Sequence, residues 1–209
     1  MGKIGSYASL EKLGRVRLSA HFFMRDFLYS EISALYGVPN IPDDPDLAIE
    51  VGQHLCQKLL EPLNATFGRI AIRSAFRSSA VNALGNEKGH NCASNEANYA
   101  RHIWDKRDED GGAGATACVV VPWFMERYSA GADWRQMGYW IHDHLPYSEA
   151  EFFHGEGMCS FNLSWHEIPK KSVTSWMTPH VLLTGAHGAK GFAEWYEGFP
   201  ALTNCQATS

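Results

Sequence analysis

No apolar run in the chain approaches the ~18 residues that a membrane span requires, so a membrane is not expected as a partner. Basic charge is not in excess either. Against 23 Asp and Glu stand 18 Lys and Arg, a net charge of −5. A general nucleic-acid binder needs a basic surface for phosphates, so nucleic acid is not expected. There is no CxxC pair. The five cysteines (Cys56, Cys92, Cys118, Cys159 and Cys205) are odd in number and widely spaced. That argues against a zinc ribbon or a thioredoxin-type site and fits reduced thiols. No Gly-x-Ser-x-Gly elbow occurs. Cys92 and Cys159 lie near His90 and His154, but closeness in sequence does not make a nucleophile–base dyad. Repeats and low-complexity tracts are absent. The first residues, MGKIGSYASLEKLGRVRLSAHFF, lack the continuous apolar core of a secretory signal, which makes the cytoplasm the default expectation. Met1-Gly2 with Ser6 fits the short myristoylation pattern.

The composition is that of a folded protein, with 45% hydrophobic and 20% charged residues over 209 positions. That length fits one domain with insertions, at about 150 residues per domain. Residues 1–20 read as a loose lead-in. Over 22–36, Phe23, Phe27, Leu28, Ile32 and Leu35 have helical spacing, and Gly37 suits a C-terminal stop. Asp44-Pro45 should open a second helix whose stripe is Leu47, Val51, Leu55, Leu59 and Leu63. Residues 69–73 alternate like a strand. Residues 85–114 are rich in Gly, Asn, Asp, Glu and Lys, and long irregular segments in compact domains are often functional. Ala117-Cys118-Val119-Val120-Val121 reads as a buried strand ended by Pro122. A helix over 122–129 and a strand over 160–166 follow. Gly185, Gly188 and Gly191, with two aromatic clusters, suggest an irregular tail. The expected fold class is α+β, with N-terminal helices packed on a small antiparallel sheet. The expected core is 21–180, carrying the insertion 85–114, with 181–209 as a C-terminal extension.

The order of short motifs from Phe22 to Asn82 resembles the zinc D-Ala-D-Ala carboxypeptidase, or D,D-peptidase, family, whose fold is shared with the Hedgehog signalling domain. The matching elements are Ser30-Glu31, then Val38-Pro39-Asn40-Ile41-Pro42, then Leu60-Glu61-Pro62-Leu63 with Phe67-Gly68. Last come Ile72-Arg73-Ser74-Ala75-Phe76-Arg77-Ser78 and Asn82. Phe76-Arg77-Ser78 is similar to the family's Ser-Gly-Tyr-Arg-Ser stretch, whose arginine works near the substrate. The resemblance implies that Arg77 holds a substrate carboxylate by a charge-assisted pair. It also implies a zinc ion held by His102, Cys118 and His166, a chemically legal set for a site that keeps one position open for water.

The chain departs from the family pattern in several places. The family's Asp falls on Cys118, and the gap from His102 to Gly114 is longer than the motif allows. In the branch that ends Glu-x-Trp-His, Leu163-Ser164-Trp165-His166 supplies His166, but the catalytic Glu falls on Leu163. In the branch with Val-His-Ile, Phe161-Asn162-Leu163 fits, and the last ligand falls on Asn162. Asn162 and His166 share one strand face but lie roughly 13 Å apart at ~3.3 Å per residue, so the two branches exclude one another. Two functions follow from the resemblance. One is zinc-dependent hydrolysis of bacterial peptidoglycan stem peptides. The other is a degenerate binding or structural module of the same fold, with a peptidoglycan peptide or a protein as partner, in a phage particle or a cell-wall complex. His142-Asp143-His144 and the glycine-rich 111–115 are weaker candidates for a metal and a phosphate; the latter lacks the lysine of a phosphate loop.

Overall fold

The structure is a computed structural model, and it describes residues 2–155, 157–185 and 191–203. The first helix lies where a loose lead-in was expected. Helix α1 (Tyr7–Gly14) is closed at its start by a capping box between Ser6 and Ser9. Leu13 and Leu18 are wholly buried and tie this segment to the core.

The helix expected over 22–36 is broken in two. A 3-10 turn covers Met24–Phe27, and α2 (Glu31–Tyr36) begins anew at Ser30, whose side chain accepts from the Ser33 amide. Asp26 accepts from the Phe23 amide at 2.8 Å, so short polar side chains divert the backbone at both breaks. Gly37 ends α2 with φ +70°, a left-handed stop.

Helix α3 (Pro45–Leu55) starts as expected, with Asp44 accepting from the Leu47 amide and proline in the first turn. It runs through a π turn (Cys56–Leu60) into α4 (Glu61–Phe67). Val51, Leu55, Leu59 and Leu63 of the apolar stripe are buried. Each such side chain contributes roughly 1.5–3 kcal/mol on leaving water.

The remaining helices are α5 (Ser79–Glu87), the single turn α6 (Asn95–Asn98), α7 (Pro122–Ser129) and α8 (Trp134–His144). The strands are β1 (Ala71–Ser74), β2 (Gly114–Val120), β3 (Glu149–Gly155), β4 (Met158–His166), β5 (Ser172–Ser175) and β6 (Val181–Leu183). They form one sheet in the order β1-β2-β4-β3-β5-β6. The sheet is mixed rather than antiparallel, because β5 runs parallel to β3. The cause is local. The chain leaves β4 beside the start of β3, crosses that end in residues 167–171, and returns along the outer edge of β3. Ser148 anchors the crossing: its amide donates to Ser164 and its carbonyl accepts from Ser172.

Strand alternation gives the sheet two unlike faces. Ala117, Val119, Phe152, Phe161 and Leu163 face a core shared with α3, α4, α7 and α8. The opposite face carries Thr116 and Cys118 from β2, Ser160, Asn162 and Ser164 from β4, and Glu149 and Glu151 from β3. Segment 90–102 of the expected insertion lines a cleft over this polar face.

The tail starts as a strand, β6, rather than as irregular structure. Further on, Phe192 stacks on Tyr139 with ring centres 4.4 Å apart, and Phe199 packs among Phe67, Trp123 and Phe124. Gly188 and Cys205 lie outside the described residues. Among the described residues, no helix is long and apolar enough to cross a membrane.

Candidate functional site

One row of the sheet defines the site. Cys118 pairs with Asn162, and Asn162 pairs with Glu151, so three polar side chains stand side by side across β2, β4 and β3. Above this row lies a cleft of about 930 Å³. The row forms its floor. Arg73 and Arg77 close one side, while Phe153 and Trp176 close the other. Segment 90–102 supplies Cys92, Arg101 and His102. The volume suits a small molecule or a short peptide.

Arg77 sits in the loop between β1 and α5, and its amide donates to the His102 carbonyl at 2.8 Å. Its Nη1 donates to the Cys92 sulfur at 2.6 Å. Its Nε is buried and has no acceptor among the described residues. Burial pushes its pKa down from the ordinary arginine value, although the neighbouring Cys92 pulls it back up. Arg77 has no carboxylate partner among the described residues, where Arg101 pairs with Glu149 at 3.2 Å and Arg107 with Glu167 at 2.9 Å.

His102 is buried, and its Nδ1 donates to the Ala75 carbonyl at 2.8 Å. Burial and the adjacent Arg77 charge push its pKa down to about 3, against the pull of the Ala75 carbonyl. The imidazole is therefore neutral at physiological pH. Burial also pushes the Cys118 thiol up to about 11, against the pull of Arg73 and Arg77.

His102 and Cys118 thus share the cleft with Arg77, but His166 does not. It stands four residues further along β4, paired with Gly114. Its Nε2 meets Asp108 Oδ2 at 3.0 Å, and its Nδ1 accepts from the Ile168 amide. The glycine-rich 111–115 accommodates this histidine: a Cβ on Gly112 would fall 2.6 Å from the His166 ring, and one on Gly114 would fall 2.3 Å from the Ala100 carbonyl oxygen. Two of the three expected zinc ligands, His102 and Cys118, line the cleft, and the place beside Cys118 in the row is taken by the neutral amide of Asn162. Among the described residues, no three His, Cys, Asp or Glu side chains are placed to hold a metal ion.

Other sequence candidates have structural roles. His142-Asp143-His144 ends a helix, not a strand, so its imidazoles do not share a face. Asp143 accepts from the Phe192 amide and the Tyr196 hydroxyl, which fastens the tail. Cys159 is buried with its thiol raised to about 12.

Glu151 and Trp176 were not singled out from sequence. Glu149-Ala150-Glu151-Phe152 does alternate, and that pattern could have placed both glutamates on the polar face. Nothing local in the sequence marks Trp176. No protein-family model, curated protein or solved structure matches the chain.

Proposed function

We propose that the protein is a D,D-peptidase-like binding module whose cleft recognises a peptide ending in a free carboxylate, with bacterial peptidoglycan stem peptides as the substrate class, and that it does so without a resident zinc ion. One observation carries this reading. Among the described residues, Arg77 is a cation at the cleft with a buried, unpartnered Nε and only a thiol as side-chain acceptor. A cation so placed is costly unless an anion joins it, and a carboxylate matches the guanidinium fork. The row beneath offers the Asn162 amide and the Cys118 thiol for the peptide backbone.

The test is calorimetric titration of the full chain with N-acetyl-Ala-D-Ala-D-Ala and with its C-terminal amide. The acid should bind and the amide should not, and Arg77→Gln should remove binding of the acid. Equal binding of acid and amide would overturn the reading. The hydrolytic reading rests on a separate observation. The bond from His102 Nδ1 to the Ala75 carbonyl leaves Nε2 for the cleft, an arrangement that metal-ligating histidines use. Release of D-alanine from the same peptide on adding zinc would favour it.

A further inference from the structure

Glu151 poses a second question about the same cleft. Its carboxylate accepts from Trp176 Nε1 on one oxygen at 3.1 Å and from Asn162 Nδ2 on the other at 3.3 Å. Each oxygen keeps a further lone pair. Among the described residues, no Lys, Arg or His side chain makes an ion pair with it, although Glu149, two positions earlier on the same face, is paired by both Arg101 and Lys170. Aromatic groups surround it. Trp176 is 60% exposed at the rim, and its ring meets Phe153 edge-on at 5.3 Å. An unneutralised carboxylate beside an open indole is a cation subsite, combining charge pairing with the attraction of a π face.

The spacing fixes which cation would reach it. Cys118 and Glu151 are two strands apart in one row. At about 4.8 Å between strands, their backbones lie roughly 10 Å apart. Arg77 stands at the Cys118 end, because it follows β1, whose Ser74 pairs with Cys118 on the side of β2 away from Glu151. An extended peptide advances about 3.3–3.6 Å per residue, so roughly 10 Å is three residues. We infer that Glu151 and Trp176 form an ammonium subsite, and that the ligand is a tripeptide-length zwitterion with its carboxylate at Arg77 and an amine at Glu151. This rests on the carboxylate reading above and adds the opposite end of the ligand.

The test compares Ala-D-Ala-D-Ala, which has a free amine, with its N-acetyl form, both titrated into the full-length protein and into Glu151→Gln. The side-chain amide keeps the shape and removes the charge. Wild type should bind the free amine at least tenfold more tightly. Glu151→Gln should lose that preference while keeping its affinity for the acetylated peptide within about twofold. If wild type binds both peptides equally, or if Glu151→Gln keeps the preference, the ammonium subsite is refuted and the carboxylate reading stands. If neither peptide binds wild type, both fall together.

Discussion

Acidification should destabilise this protein through one buried ring before its carboxylates titrate. His102 has its ordinary pKa of 6.5 in the unfolded chain, and burial and Arg77 lower it to about 3 in the fold. Above pH 6.5 both states hold the ring neutral, and it contributes nothing to the pH dependence. As pH falls below 6.5, the unfolded chain takes up a proton that the folded chain refuses, so stability drops by up to ~1.4 kcal/mol per pH unit. The fall continues until the folded pKa is reached. Between about pH 7.5 and pH 5.0 the loss comes to about 2 kcal/mol from this residue alone. His54, also lowered chiefly by desolvation, adds a contribution of the same sign, but it is present in any His102 variant and cancels in the difference. The perturbation is His102→Gln, whose side-chain amide can still donate to the Ala75 carbonyl. Urea unfolding of both proteins across that pH range is the assay. The variant should be less stable near neutrality but flatter with pH, by about 2 kcal/mol over the range. Parallel pH profiles for the two proteins would refute the claim that His102 is held neutral by burial.

The Cys118 thiol, raised to about 11 from 9.0, should be alkylated about 100-fold more slowly than a free cysteine at mildly alkaline pH, because only its thiolate reacts. Site-resolved mass spectrometry of labelled native protein reads this, and labelling at the free-thiol rate would contradict it. Gly114→Ala places a Cβ 2.3 Å from the Ala100 carbonyl oxygen and should cost about 3 kcal/mol or more by denaturant unfolding. A loss under about 1 kcal/mol would show that the β2 end yields easily. Asp44→Ala removes the side chain that accepts from the Leu47 amide and should cost about 1 kcal/mol in the same assay.

What was legible in the sequence was local and periodic. Asp44-Pro45, the Val51–Leu63 stripe, the valine run of β2 and the stop at Gly37 each follow from a short-range rule, and each stands where that rule put it. The break at Ser30 was not legible, because Phe23, Phe27, Leu28 and Ile32 mimic a single helix while the Asp26 and Ser30 side chains divert the backbone. The parallel β5 was not legible either, since it depends on which end of β3 the chain crosses after β4. At the candidate site, Arg77, His102 and Cys118 are reached only through the family resemblance and follow from no short-range rule. Glu151 enters only through pairing with Asn162, and Trp176 only through the path of the chain after β5. The competing alignments that ended on Asn162 or His166 could not be resolved without register. Register puts Asn162 beside Cys118 and leaves His166 with Asp108.

The central claim is that the cleft takes a peptide carboxylate on Arg77 without zinc. Calorimetric titration of chelator-treated protein with N-acetyl-Ala-D-Ala-D-Ala tests it most directly, beside the same titration after zinc is restored. Binding should be of equal strength in both, lost in Arg77→Gln and lost for the C-terminal amide. Binding that appears only when zinc is restored, or that survives Arg77→Gln unchanged, would contradict it.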